Sequence, residues 1–231
     1  KNAKETSMNS KPSNVYRPMP RHRLVTQESY PFLLGTLCLA IIGLIFSWTA
    51  VTASAAGMLL FIAYFFRNPK RNTPSEDSAV ISPADGKVLG IKYAVKTPFT
   101  DKPANVISIF MSVFNGHINR LPITGEIKKV VYQPGKFLVA SLDKAMEHNE
   151  KNSLLIADEQ GREVLMTQVA GLVARRIVCY MKAGMRGTKG QRCGLIRFGS
   201  RVDIYLPTNT EILVNKGDNV RSGLSILGKF S

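Results

Sequence analysis

The chain changes its hydrophobic pattern once, and that change divides it into two parts. Residues 31–66 contain no charged side chain. From residue 79 onward, apolar positions mostly recur at every second residue, which is the period of a β-strand with one buried face. The first pattern predicts helices in an apolar environment, and the second predicts a sheet.

The uncharged segment is too long for one membrane-spanning helix. A helix over residues 31–66 would extend about 54 Å, whereas the hydrocarbon core of a bilayer is about 30 Å thick. Two shorter helices fit better, with a turn in the polar stretch "SWTAVTAS" at residues 47–54. A shallow re-entrant insertion and a buried core hairpin of a soluble protein both stay open as alternatives.

The second part reads as a series of short strands separated by turn residues. Asp85-Gly86 and Thr124-Gly125 are typical of such turns. A charged segment at residues 142–152 is predicted to form a short helix or lid. The predicted strands are Lys87–Lys92, Val106–Phe114, Glu126–Tyr132, Ser153–Ala157, Glu163–Val169, Arg176–Tyr180, Leu195–Phe198, Val202–Leu206 and Glu211–Val214.

These elements predict an α+β protein with a β-rich domain behind an N-terminal apolar helical hairpin. Residues 1–29 are basic, polar and without apolar period, so they are predicted to be a disordered arm. Residues 30–66 are predicted to form the membrane-associated hairpin, residues 67–78 a linker, and residues 79–231 the soluble domain.

The formal net charge of +15 narrows the choice of partner. Such a charge attracts polyanions, either nucleic acid or an anionic bilayer. Basic residues flank both ends of the apolar hairpin, which is the arrangement expected at an anionic leaflet, and both ends are then cytoplasmic. We therefore expect no nucleic-acid partner. The three cysteines lack metal or redox spacing, and no metal site is expected.

The stretch "RFGSRVD" carries the most informative chemistry. Glycine in a strand marks a bulge or a close approach to the backbone. The hydroxyl of Ser200 can attack the carbonyl carbon of Gly199 and convert the peptide bond into an ester. Elimination from that ester leaves a carboxylate on Gly199 and a dehydroalanine at position 200, which hydrolyses to a pyruvoyl group and ammonia.

Two further residues are candidates on chemical grounds. Asp85 lies in "SPADGKV", where the spacing alone favours an ordinary turn over a catalytic role. His117 follows a break in an apolar strand in "VFNGHINRLP", and it is the best candidate for a general acid or base. A structural histidine at a strand end is the alternative.

Several segments together resemble the short form of the phosphatidylserine decarboxylases. They are "SPADGKV", "VFNGHINRLP", "SLDKAMEHNEKN", "VARRIV" and "GLIRFGSRVDIYLP", in this order behind a hairpin that ends in "YFFRNPKR". The resemblance extends from about residue 30 to the C-terminus.

The resemblance implies a lyase that cleaves itself between Gly199 and Ser200. The products are a β chain of residues 1–199 and an α chain of residues 200–231, headed by a covalent pyruvoyl group derived from Ser200. A Schiff base between this group and phosphatidylserine then allows decarboxylation to phosphatidylethanolamine. No external cofactor is implied.

The resemblance also implies roles for single residues. Ser200 is the nucleophile and later the carrier of the pyruvoyl group, Gly199 supplies the scissile carbonyl, and Asp85 and His117 match the relay that activates the serine. Longer members of the family have two histidines three residues apart, whereas this chain has Arg120 at the second position. His117 therefore serves both cleavage and protonation, or another group takes one task.

The headgroup of the implied substrate carries a phosphate and a carboxylate, which favours arginine as the binding residue. The candidates chosen for substrate binding are Arg120, Arg176, Arg197 and Arg201.

The partners implied are phosphatidylserine in an anionic membrane and the two chains of one precursor, with a homodimer left open. The implied location is the inner cell membrane, with the catalytic domain on the cytoplasmic side. Two alternatives stay open: a lipid-binding homologue that does not cleave, and a decarboxylase of another phosphoserine lipid such as archaetidylserine.

Overall fold

A computed structural model describes residues 17, 24–97, 99, 102–135, 149–171, 177–197 and 199–231. Most of the predicted N-terminal arm, most of the predicted lid at 142–152, and the candidate Arg176 lie outside the described residues.

The chain forms the expected helical hairpin near its N-terminus. A short 3-10 turn, Gln27–Ser29, leads into α1 (Tyr30–Ile45), and α2 (Thr49–Phe65) follows. The connection occupies residues 46–48, where Ser47 has a φ of 56°. It is shorter than the polar stretch predicted to turn, because residues 49–54 already belong to α2.

Small side chains allow the two helices to pack closely. A Cβ added to Gly43 would lie 2.6 Å from Oγ1 of Thr52 on the opposing helix. Ala40 and Ala55 are buried, as is common where apolar helices approach each other. Most of the larger apolar side chains point outward; examples are Leu34, Ile45, Phe46, Trp48 and Leu60. The two helices are therefore not buried within the described part of this chain.

One described helical segment, Gln27–Ile45, is long and apolar enough to cross a membrane, and 22% of its most apolar window is buried. The exposed apolar surface of α1 and α2 is consistent with membrane association.

The rest of the chain is built from strands in three sheets. The described strands are β1 (Ala79–Ile81), β2 (Gly86–Lys96), β3 (Pro103–Met111), β4 (Ile118–Arg120), β5 (Gly125–Gln133), β6 (Lys151–Ala157), β7 (Glu163–Val169), β8 (Ile177–Cys179), β9 (Arg186–Gly187), β10 (Arg192–Ile196), β11 (Ser200–Pro207), β12 (Glu211–Ile212), β13 (Asn219–Val220) and β14 (Ile226–Lys229).

The largest sheet has eight antiparallel strands in the order β13-β2-β3-β11-β7-β6-β5-β9. Two three-stranded sheets have the orders β1-β14-β12 and β4-β10-β8. The prediction of an α+β, β-rich fold behind a helical hairpin is confirmed. The strand β11 lies in the middle of the largest sheet, paired with β3 on one side and β7 on the other.

Alternation along β11 separates its side chains onto two faces. Val202 and Ile204 belong to the main core, whereas Tyr205 belongs to a smaller cluster on the other face. By the same alternation Ser200 faces the main core and Arg201 faces the opposite side of the sheet.

The predicted strands agree with the long strands of the structure but miss several short ones. The strand predicted to reach Phe114 ends at Met111, since Asn115 accepts hydrogen bonds from the backbone N–H and hydroxyl of Ser112 and closes a turn. The strands that sequence patterning missed are β1, β4, β9, β13 and β14, which contain only two to four residues each.

Candidate active site

The Gly199-Ser200 pair lies where the chain passes from one sheet to another. The strand β10 ends at Ile196 in a three-stranded sheet, and β11 begins at Ser200 in the eight-stranded sheet. Gly199 has a φ of 56°, in the left-handed region that side chains disfavour, although an added Cβ would have no heavy atom of the described residues within 4 Å, its chain neighbours aside. The glycine is therefore required by its backbone conformation and not by lack of space.

Ser200 is completely buried at the start of β11, opposite Met111 at the end of β3. Its hydroxyl lies 3.5 Å from the sulfur of Met111 and can donate only a weak hydrogen bond there, because a thioether is a poor acceptor. The hydroxyl therefore loses little free energy if it turns to another partner.

His117 is held in one orientation beside this crossing. Its Nδ1 lies 2.9 Å from the carbonyl oxygen of Asn115, so Nδ1 carries the proton and donates it. Nε2 is then unprotonated, and it is buried without a hydrogen-bond partner among the described residues. The backbone carbonyl of His117 accepts a hydrogen bond from the N–H of Ile196, which ties the histidine to the last residue of β10.

The surroundings of His117 keep the imidazole neutral. The ring of Phe65 in the last turn of α2 lies 3.9 Å from it, centroid to centroid, at an interplanar angle of 30°. Burial lowers the pKa of His117 to about 4, and the positive charge of Arg67 acts in the same direction, against the hydrogen bond to Asn115. At neutral pH the ring is thus an uncharged base.

Asp85 lies against the loop at residues 112–117, which connects β3 to β4 and is called the histidine loop below. One carboxylate oxygen accepts a hydrogen bond from the backbone N–H of Ser222 at 2.6 Å, and the other pairs with Arg71 at 2.9 Å. A Cβ added to Gly116 would lie 2.6 Å from the latter oxygen. Glycine at position 116 therefore allows the carboxylate to pack against the residue that precedes His117.

The structure brings the three relay candidates into one region without linking them. Within the described part of the chain, no hydrogen bond joins Asp85 to His117 or His117 to Ser200, because each uses the partners given above. A relay of the implied kind would require at least two of these side chains to change partners.

A row of buried amides near Ser200 had no signal in the sequence. Asn119 approaches the same sulfur of Met111 at 3.6 Å, its side-chain oxygen accepts a hydrogen bond from Gln168 at 2.8 Å, and Gln168 accepts one from Asn152 at 3.0 Å. These amides are fully buried. They form a polar path from Ser200 into the core, and their contacts depend on strands that are far apart in the chain.

Arg120, a predicted substrate ligand, has structural partners instead. It is buried and donates hydrogen bonds to the carbonyl oxygens of Gly190 at 2.8 Å and Pro69 at 2.9 Å. Burial is the largest cause of the lowered pKa of its guanidinium, followed by the charges of Arg71 and Arg192. Arg120 thereby fixes the linker after the hairpin onto the domain.

Arg201 was also predicted to bind the substrate, and the structure gives it a different environment. It is buried on the face of the sheet opposite to Ser200, where it pairs with Asp203 at 2.6 Å and donates to the hydroxyl of Ser108 at 2.9 Å. Arg201 follows Ser200 directly in the sequence, but its side chain points away from Ser200 because neighbouring residues of a strand face opposite sides of the sheet.

Arg197 is half-buried and lies over the ring of Phe32 in α1, 5.4 Å from the ring centroid. The helical hairpin therefore contacts both sides of the site, through Phe32 at Arg197 and through Phe65 at His117. Sequence reasoning did not identify Phe65, because one aromatic residue in an apolar run carries no distinguishing signal.

A small crevice opens between the linker and the histidine loop, lined by Arg67, Arg71, Asp85, Gly116, Arg120 and Ser222. A larger groove of about 320 Å³ lies at the opposite end of the eight-stranded sheet, near Tyr205 and Pro207, and contains none of the candidate residues. The candidate residues Asp85, His117 and Ser200 therefore lie around the crevice and around the connection between β10 and β11.

Comparison with known proteins identifies the family. Residues 58–228 match the model of the family described as phosphatidylserine decarboxylase. The chain belongs to the phosphatidylserine decarboxylase family. This confirms the resemblance found in the motifs and places the chain among carboxy-lyases.

Individual relatives match nearly the whole chain. The phosphatidylserine decarboxylase proenzyme of Syntrophus aciditrophicus (strain SB) is 43% identical over 215 residues, which cover 92% of this chain and 100% of the relative. The proenzyme of Magnetococcus marinus is 44% identical, with 92% and 98% covered, and that of Geotalea uraniireducens is 45% identical, with 88% and 95% covered. All three are phosphatidylserine decarboxylase proenzymes by name, which is consistent with a precursor that matures by cleavage.

Proposed function

We propose that this chain decarboxylates phosphatidylserine to phosphatidylethanolamine after cleaving itself between Gly199 and Ser200. The observation that carries the proposal is the left-handed Gly199 directly before a buried serine, at the point where the chain changes sheets. Ordinary turns of this chain also contain left-handed glycines, such as Gly161 between β6 and β7, but among the described glycines with a positive φ only Gly199 is followed directly by a serine.

The residues at this position fit a pyruvoyl group made from Ser200. The serine hydroxyl has only the sulfur of Met111 as a partner within the described chain, and the space beside Gly199 is open. Attack on the Gly199 carbonyl therefore displaces no strong hydrogen bond among the described residues. When present, the pyruvoyl group supplies a carbonyl that takes up the electron pair released as CO₂ leaves.

His117 is proposed to move the protons. Its unprotonated Nε2 can accept a proton during cleavage. Because burial holds the pKa of His117 at about 4, the protonated ring is a stronger acid than an ordinary imidazolium and returns the proton readily. One histidine can therefore act as base and then as acid, which addresses the missing second histidine at position 120.

Cleavage at this point would leave the two chains in one sheet. The α chain would begin with β11, which pairs with β3 and β7, and both of these strands belong to the β chain. The later strands β13 and β14 also pair with β2 and β1 of the β chain. The backbone hydrogen bonds of a central strand hold the α chain without a covalent link.

The hairpin is proposed to hold the enzyme at the cytoplasmic face of the inner membrane. The apolar surface of α1 and α2 is exposed, and Arg67, Lys70 and Arg71 follow directly after α2. Extracting a two-chain lipid from a bilayer costs about 0.8 kcal/mol for each CH₂ group, so an enzyme at the interface reaches its substrate at far lower cost. Arg197 and Arg176 remain the arginines proposed for the headgroup, and a homodimer remains a proposal for sizing experiments.

The test combines intact-mass spectrometry with CO₂ release from phosphatidylserine vesicles. Wild-type protein is expected to yield two chains, with a keto group in place of the amino terminus of residue 200, and to release CO₂. Ser200→Ala is expected to stay uncut and inactive. Ser153→Ala is the matched control, since Ser153 is also a buried serine of the same sheet, bonded to Thr167 at 3.0 Å.

Each failure points to a different conclusion. Wild-type protein that stays uncut and binds lipid would favour a homologue without catalysis. Protein that is cleaved yet inactive on phosphatidylserine and active on an ether-linked phosphoserine lipid would change the substrate. Decarboxylation by uncut Ser200→Ala would refute the self-generated carbonyl.

A further inference from the structure

Phe114 is an exposed aromatic residue held outward by a rigid turn close to His117. Its side chain is 67% exposed. Asn115 closes the turn, since its side-chain oxygen accepts hydrogen bonds from the backbone N–H and the hydroxyl of Ser112, both at 2.8 Å, and its own N–H donates to the carbonyl of Ser112. These hydrogen bonds therefore fix the backbone of the turn that presents Phe114 at the surface.

Arg67 connects this turn to the end of the hairpin. It is the second residue after α2, and its guanidinium donates to the carbonyl oxygens of Phe114 at 3.1 Å and Tyr64 at 2.8 Å. The same guanidinium lies 3.9 Å from the centroid of the Tyr64 ring. The guanidinium of Arg67 thus links Phe114 in the histidine loop to Tyr64 in the last turn of α2.

The side chain of Leu24 lies near those of Phe114 and Tyr64. The N–H of Asn68 donates to the carbonyl of Leu24 at 2.7 Å, and the Leu24 side chain is 85% exposed. Tyr64 is 48% exposed. We call Leu24, Tyr64 and Phe114, grouped around Arg67, the collar. A single exposed apolar residue is common on protein surfaces, but a group of three beside an apolar hairpin indicates a contact surface.

We propose that the collar inserts into the boundary between headgroups and acyl chains of an anionic bilayer, so that the catalytic loop itself touches the membrane. This inference rests on the proposed insertion of the hairpin and extends it to the catalytic domain. The collar continues the exposed apolar surface of α1 and α2. Tyrosine is enriched at membrane interfaces, phenylalanine and leucine are typical of segments that lie in the interface, and the net charge of +15 favours an anionic leaflet.

The collar would set the depth of the active site. His117 is three positions after Phe114, and a fully extended chain spans at most about 3.6 Å per residue, so their Cα atoms lie within about 11 Å of each other. With Phe114 in the interface, His117 lies at headgroup level. The serine headgroup of a lipid then reaches the site while its acyl chains stay in the bilayer.

Tryptophan fluorescence tests this placement without using activity. Trp48, in the turn of the hairpin, is the only tryptophan of the chain. The variant Trp48→Phe/Phe114→Trp carries its single indole on the collar, and Trp48→Phe/Leu24→Trp tests a second collar position. The matched control is Trp48→Phe/Tyr93→Trp, because Tyr93 is 64% exposed on β2, towards the end of that strand far from the site.

The proteins are bound to vesicles of phosphatidylcholine and phosphatidylglycerol that carry bromine near the glycerol, bromine near the middle of the acyl chains, or no bromine, because the hairpin turn and the collar lie about 25 Å apart along the helices. We expect a blue shift and a loss of emission by bromine for the indoles at positions 114 and 24, as for Trp48 in wild-type protein. The indole at position 93 is expected to show neither change.

Loss of emission at Trp48 without any at positions 114 and 24 would overturn the collar and leave the inserted hairpin intact. No loss at Trp48 either would overturn the membrane placement on which the collar rests. A blue shift at position 114 that depends on protein concentration and is insensitive to bromine would overturn the proposal in favour of a second copy of the chain.

Discussion

The phenyl ring of Phe65 lies 3.9 Å from the imidazole of His117, which joins the last turn of the hairpin to the site. Phe65 is almost completely buried, and so is His117. The ring excludes water from one face of the imidazole, and burial is the main cause of the lowered pKa of His117. The hairpin therefore forms part of the wall of the candidate site.

This burial predicts a dependence of stability on pH. The pKa of His117 is about 4 in the folded chain against an ordinary value of 6.5. Between these two values the unfolded chain binds the proton and the folded chain does not, so stability is complete above pH 6.5 and falls on acidification towards pH 4. The loss amounts to about 3 kcal/mol.

The measurement is chemical unfolding in detergent over this pH range, for wild-type protein and His117→Gln. The carboxylates titrate in both proteins, so the difference between the two curves isolates the histidine. If the free energy of unfolding depends on pH in the same way for both proteins, His117 takes up its proton at the same pH in the folded and the unfolded chain.

Gly199→Ala is expected to slow self-cleavage and to lower the free energy of unfolding by about 1–2 kcal/mol, because its φ of 56° is unfavourable for a residue with a Cβ. Gly90→Ala is the control: Gly90 also has open space around an added Cβ, but it lies in β2 without a positive φ. Time courses of cleavage and unfolding curves provide the comparison. Equal rates for both variants would mean that the left-handed backbone is not needed.

Asp85→Asn is expected to slow cleavage, because it weakens the pair with Arg71 and the packing against Gly116. Asp158→Asn removes a comparable carboxylate, which pairs with Arg162 at 2.6 Å and accepts a backbone N–H, far from the histidine loop. Both variants should lose about 1–3 kcal/mol of stability, and only the first should mature slowly. Similar maturation of both proteins would reduce Asp85 to a structural role.

Arg201→Met is expected to destabilise the fold by about 3–5 kcal/mol, because it leaves Asp203 buried without its cation. Burial already raises the pKa of Asp203, and loss of Arg201 raises it further. Arg201→Met/Asp203→Leu should recover much of the stability and keep the wild-type KM for phosphatidylserine. A stable double variant with a strongly raised KM would return Arg201 to the substrate-binding residues.

Local patterning predicted the parts of the fold that depend on neighbouring residues. The uncharged run at 31–66 indicated two helices, and the alternation after residue 79 indicated most of the long strands. The shortest strands escaped prediction, because β4 and β13 have too few residues to show a period and exist only through their partners β10 and β2.

The sequence by itself determined which residue types flank the bond between Gly199 and Ser200, and it determined the apolar character of residues 31–66. A glycine before a serine, the type of each side chain and the lack of charge at 31–66 are local properties that no fold can change.

Only the tertiary structure decided which groups meet. It turned Arg201 away from Ser200, paired Asp85 with Arg71 from the linker, and packed Phe65 on His117. These contacts follow from strand pairing and from hairpin packing between residues distant in sequence, and burial at those contacts sets the protonation of the histidine.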